Sequence, residues 1–82
     1  MKTETIAIKL EGGAHPVALL VQEASKYDSK IYVEAEGKKV NAKSIMGMMA
    51  LGLDNGDQLK VTVDGTDEEV AMQNLYQFLS GK

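Results

Sequence analysis

The chain has 82 residues, 44% hydrophobic and 26% charged, the composition of one ordinary globular domain (1–82) whose small core leaves little room for a deep active site. It holds no cysteine and one histidine, which excludes disulfides, thiolate chemistry and multi-histidine metal sites, so neither cofactor nor metal is expected. The net charge of −3, from nine lysines and twelve acidic residues, offers no basic face for nucleic acid and points to proteins as partners.

The opening stretch MKTETIAIKL lacks the apolar run of a secretory signal, and nothing later approaches the roughly 18 apolar residues of a membrane span. A cytoplasmic protein without membrane insertion is expected. From Thr3 to Leu10, Ile6, Ile8 and Leu10 alternate with Ala7 and Lys9, the period of a half-buried strand. From Pro16 the period changes. Val17, Leu20, Val21 and Ala24 recur at helical spacing, with Gln22, Glu23 and Lys26 opposite, so a helix is predicted to about Tyr27.

In KIYVEAEGKKVNAK, Ile31, Val33 and Ala35 are matched by Val40 and Ala42 across Glu36-Gly37, which predicts a hairpin turning on Gly37. SIMGMMALG reads as a two-turn helix between an N-cap at Ser44 and a stop at Gly52. Ile45, Met49 and Leu51 are expected inside; Met46 and Met48 are expected to face outward. Turn residues in LDNGDQ lead to a strand with Leu59, Val61 and Val63 on one face. A capping box, Thr66 with Glu69, then opens a last helix with Ala71, Met72, Leu75, Phe78 and Leu79 on its apolar side. Asp67, Glu68 and Glu69 are read as first-turn charges complementing the helix dipole rather than as catalytic carboxylates.

The order is βαββαβα, an α+β open-faced sandwich with a mainly antiparallel sheet covered on one face. Lys9, Tyr32, Glu34, Lys39, Asn41, Lys60 and Thr62 are expected on the open face.

The segment VQEASKYDSKIYVEAEGKKVNAKSIMGMMALG, continued by GDQLKVTVDGTDEE, resembles the histidine-containing phosphocarrier proteins (HPr) of the bacterial phosphoenolpyruvate-dependent sugar phosphotransferase system, with their regulatory relatives, Crh. The resemblance implies a four-stranded antiparallel sheet with three helices on one face, and two phosphorylation sites. One is a histidine at the start of the first helix, followed by Ala-Arg-Pro, which takes phosphate from enzyme I and passes it to sugar-specific acceptor domains. The other is a serine at the start of the short second helix, modified by a serine kinase/phosphorylase so that a transcriptional regulator of carbon catabolite genes binds. It also implies a docking face made by the short helix and the start of the first helix, placing Met46, Gly47, Met48 and Leu51 with Val17 and Leu20 as candidates.

The serine segment matches at Lys43-Ser44-Ile45-Met46-Gly47 without a gap. The histidine segment, Gly12-Gly13-Ala14-His15-Pro16-Val17, does not. Only two residues separate Gly13 from Pro16 where the family has four, and there is no arginine. Counting back from Pro16 puts His15 on the family's arginine and Gly13 on its histidine; counting forward from the first strand keeps His15 as the phosphoacceptor and deletes Ala-Arg. Pro16 suits the first helical position and disfavours helical geometry in the residue before it, which favours His15 as the cap under the second count. Such a cap, two residues later on a fixed helix, is turned by about 200° and displaced by ~3 Å. The resemblance therefore implies either an altered carrier using His15 or a regulatory protein phosphorylated on Ser44 alone.

Overall fold

The computed structural model describes residues 1–9, 16–51 and 57–81, with the side chains of Pro16 and Val17 outside that description. The elements are β1 (Lys2–Ala7), α1 (Pro16–Ala24), β2 (Lys30–Ala35), β3 (Lys38–Asn41), α2 (Ile45–Leu51), β4 (Gln58–Asp64) and α3 (Glu68–Ser80). The four strands form one sheet in the order β1-β4-β2-β3. Every pairing is antiparallel, with Glu4 opposite Val61, Val33 opposite Val61 and Val40 opposite Val33. This is the predicted open-faced sandwich.

Alternation decides which face is covered. Ile6, Ile8, Ile31, Val33, Leu59, Val61 and Val63 all point to one side and are buried. Against them pack Leu20 and Ala24 of α1, Met48 of α2, and Ala71, Met72, Leu75 and Leu79 of α3. On the opposite face Lys39, Asn41 and Lys60 are exposed and Tyr32, Glu34 and Thr62 half-buried. Lys39 Nζ lies 5.3 Å from the centre of the Tyr32 ring. The hairpin turns as expected: Glu36 and Gly37 have φ of 52° and 79°, the paired positive values of a type I′ turn.

Three boundaries differ from expectation. The first strand ends at Ala7 because the chain leaves the sheet soon after. The Ile8 amide still bonds to the Asp57 carbonyl, but that of Lys9 turns to the Leu79 carbonyl at the end of α3; Leu10 lies outside the described residues. Helix α1 stops at Ala24, where Lys26 and Tyr27 tighten to i−3 carbonyls. The capping box at Thr66 and Glu69 does not form. Helix α3 starts at Glu68, with Asp67 at the N-cap position making no side-chain cap bond, and it is Glu68 that reaches back to the Gly65 amide at 3.2 Å.

Asp67 has a different task from the first-turn charge expected of it. Its carboxylate accepts the amides of Asp28 (2.9 Å) and Ser29 (3.0 Å) and the hydroxyl of Ser29, which is buried. The turn after α1 is thereby clasped to the turn before α3. Gly65 makes room for this: a β-carbon there would sit 2.6 Å from both Cα and Oγ of Ser29. The hydrogen bonds from Ser29 and Asp28 hold the Asp67 carboxyl below the usual carboxylate range.

A group whose pKa is lowered by folding adds stability above its unfolded pKa and loses it as pH falls through the folded value. Replacing Asp67→Asn, which leaves one oxygen for three donors, is expected to lower Tm at pH 7. The deficit relative to wild type should shrink as pH drops below ~4, as thermal melts across pH 2–7 would reveal.

Candidate functional site

Ser44 ends a tight turn leaving β3. Asn41 builds that turn: its side-chain oxygen accepts the Lys43 amide at 2.8 Å and its carbonyl accepts the Ser44 amide at 3.0 Å. Ser44 then opens α2. Its carbonyl accepts the Met48 amide at 3.0 Å, and its exposed hydroxyl oxygen accepts the Gly47 amide at 3.3 Å. This is the N-cap anticipated from the sequence, with a free amide satisfied by the side chain.

The cation next to it is occupied elsewhere. Lys43 Nζ donates to the Tyr27 carbonyl at 2.5 Å, just beyond the end of α1, where orphan carbonyls favour positive charge. The Tyr27 hydroxyl donates to Glu23 Oε2 and accepts from Asn74 Nδ2, both at 2.9 Å. Burial, with smaller help from Glu23, pushes that phenol up from its usual range despite the opposing Asn74 bond. The segment holding Ser44 is thus tied to the end of α1 and, through Tyr27, to α3.

Helix α2 presents its side chains differently from expectation. Met48 is fully buried, whereas Met46, Met49 and Ile45 are 80%, 64% and 44% exposed. Expected pointing outward, Met48 in fact lies in the core; Ile45 and Met49, expected inside, face outward. Ser44, Gly47, Met48 and Leu51 fall at i, i+3, i+4 and i+7, the spacing of one helix face, and this seam lies along β3. Gly47 approaches Val40 and Leu51 is half-buried against the core. Leu20, a candidate docking residue, is likewise buried at 1% exposure, because its side of α1 faces the sheet. Val17's side chain and His15 lie outside the described residues.

Ser44, Ile45, Met46 and Met49 are all exposed. Ile45 and Met49 were missed in the sequence. The signal that could have found them is the count from the cap at Ser44, which puts Gly47, Met48 and Leu51 on one face and leaves Ile45 and Met49 off it. A groove of about 340 Å³ lies elsewhere, between β1 and α3 beside Lys2, Glu4, Glu69 and Tyr76. Among the described residues no helix is long and apolar enough to cross a membrane, and no cluster of acidic and histidine side chains could hold a metal.

A family model described as the PTS HPr component phosphorylation site matches residues 2–80. The chain belongs to the HPr family. The HPr-like protein Crh of Halalkalibacterium halodurans is 44% identical over 81 residues, 96% of each chain. Among solved structures, an HPr from Thermoanaerobacter tengcongensis is 48% identical with a TM-score of 0.83, covering 100% of this chain and 98% of its own. The phosphocarrier protein HPr of Bacillus anthracis is 39% identical with a TM-score of 0.86, covering 95% of each. Membership makes this an HPr-like phosphocarrier or regulatory protein, with protein partners within the phosphotransferase system.

The two classes of α2 methionine separate by stability. Met48→Ala is expected to cost ~2–5 kcal/mol as a buried truncation, whereas Met46→Ala should stay within about 0.5 kcal/mol of wild type. Urea melts of the two variants measure both.

Proposed function

We propose that this protein is a cytoplasmic regulatory phosphoprotein of the sugar phosphotransferase system that is modified on Ser44 and read by protein partners through α2. The observation that carries this reading is an exposed serine oxygen capping a helix whose exposed side chains include Ile45, Met46 and Met49. In the modification, Ser44 Oγ bonds to the γ-phosphorus of ATP, the bond from that phosphorus to ADP breaks, and the hydroxyl proton passes to a base of the kinase. The phosphate adds a charge of about −1.5 to −2 and three acceptor oxygens. At a helix start that charge meets unpaired amides and the positive end of the dipole, so the fold can bear it. Next to it, flexible methionine side chains adapt to an apolar partner surface. Phosphate and patch together make a composite epitope that exists only in the modified protein. The intact Lys43-to-Gly47 segment and the similarity to Crh support the serine branch.

With an HPr serine kinase and ATP, the wild type should gain one acid-stable phosphate. Ser44→Ala should gain none, while losing only about 1 kcal/mol of stability with its cap. Labelling that persists in Ser44→Ala would refute the assignment.

A second reading, phosphoryl transfer through His15, has support in the start of α1. That helix begins at Pro16, so His15 directly precedes the helix in sequence, and an imidazole near neutral pKa can take and release a phosphoryl group. Enzyme I with phosphoenolpyruvate should then place an acid-labile phosphate on the wild type and not on His15→Ala. An unlabelled wild type would leave the serine branch standing alone.

A further inference from the structure

Gly47 is an unlikely residue for its position on grounds of folding alone. It is the third of the seven residues of α2, in a helix otherwise made of Ile, Met, Ala and Leu. Glycine is the poorest helix former apart from proline, and alanine the best. A methyl group would not be refused for lack of space in the resting protein. Built onto Gly47, a β-carbon lies 3.4 Å from Val40 Cβ, 3.5 Å from Ser44 Oγ and 3.7 Å from Ser44 Cβ, all ordinary contacts. Gly47 has a helical φ, with no positive value that would demand glycine. Neither backbone conformation nor packing on β3 therefore accounts for it.

The space that the absent methyl leaves open is the space beside Ser44 Oγ. The same residue's amide already points at that oxygen, at 3.3 Å, so Gly47 borders the hydroxyl through both its backbone and its missing side chain. A methyl in contact with the hydroxyl oxygen would crowd a group built outward from it. We infer that Gly47 is a positioning residue for phosphorylation, a glycine retained to leave room beside Ser44 Oγ for the incoming phosphoryl group. The inference deepens the reading of Ser44 as phosphoacceptor and rests on it. As the Oγ–P bond forms and the bond to ADP breaks, the three phosphoryl oxygens take up positions two bonds beyond Oγ. An alanine methyl at residue 47 would meet them there and shield the amide that they could otherwise accept from. Helix propensity is given up at one residue so that the modified state fits.

The test pairs a stability readout with a chemical one, in the full chain. Gly47→Ala should fold with Tm unchanged or raised by a few degrees, roughly what its helix propensity predicts for a domain of this size. Its kcat/KM with the HPr serine kinase and ATP should nevertheless fall at least ~10-fold, about 1.4 kcal/mol of transition-state stabilisation. To separate the phosphate's fit from kinase docking, phosphoserine is installed at residue 44 by semisynthesis in both backgrounds. The Tm change on adding the phosphate should be less favourable in Gly47→Ala than in wild type. Phosphorylation of Gly47→Ala at the wild-type rate, or the same phosphate-induced Tm shift in both backgrounds, overturns the inference. So does a Gly47→Ala protein that is destabilised before any phosphate is added, since the glycine would then serve packing on Val40. If the kinase leaves the wild type itself unlabelled, the Ser44 reading fails, and the semisynthetic pair still decides whether residue 47 bounds that space.

Discussion

The burial of Met48 is the constraint from which the working surface follows. Helix α2 has seven residues, about 10 Å of length, and can offer only one narrow face to the sheet. The cap at Ser44 sets where the helix begins, and three residues on Gly47 faces Val40. Met48 then enters the core, with Leu51 beside it. Once that phase is fixed, Ile45, Met46 and Met49 have nowhere to go but outward. Burying them as well would need a second layer, which a chain of 82 residues lacks. The apolar patch beside Ser44 is thus a consequence of how a short, almost wholly apolar helix is anchored.

The frame of the fold lies elsewhere. Strands β4 and β2 form the middle of the sheet, and α3 covers the β1-β4 half with Ala71, Met72, Leu75 and Leu79. The Asp67 clasp joins two turns that the chain separates by 38 residues, and it does so with a carboxylate whose acceptors are filled by donors that folding would otherwise leave unpaired. Its network shares no residue with the Asn41-Lys43-Ser44 turn. The frame and the candidate surface meet through Tyr27, which takes Lys43 at its carbonyl and Asn74 at its hydroxyl.

What could be read from the sequence was whatever depends on near neighbours. Alternation in Ile31, Val33, Leu59, Val61 and Val63 gave the strands and their buried face, and the Glu36-Gly37 pair gave the hairpin. Ser44 announced its cap because the amide it serves lies three residues away. The clasp could not be read in the same way. Asp67 looks like any first-turn carboxylate until the fold brings Ser29 to it, and Gly65 looks like turn punctuation until Ser29 Cα is found where its side chain would be. The phase of α2 was misjudged for a related reason. When nearly every position is apolar, hydrophobicity has no preferred direction, and only contact with β3 chooses Met48 over Ile45 and Met49. That Gly47 lies on the packed face is visible in the spacing Ser44, Gly47, Met48, Leu51, but only after the cap is accepted as the origin of the count.

The two phosphorylation sites that the family resemblance implies make unequal demands on a chain. A histidine carrier needs its imidazole, a cation for the phosphoryl oxygens and the start of a helix all in register within one short stretch. Between Gly13 and Pro16 this chain has two residues where the family has four, and no arginine, ahead of a helix whose body is held by Leu20 and Ala24. The proposed serine site draws on a different set: the Asn41 turn, the cap, Val40 behind Gly47, and Met48 in the core. The hydrogen bonds of that turn and cap lie between Asn41 and Met48 or reach Tyr27. None of these bonds involves a residue between Gly13 and Pro16. The serine role proposed above thus draws on a cap and on exposed methionines that do not depend on the shortened histidine segment.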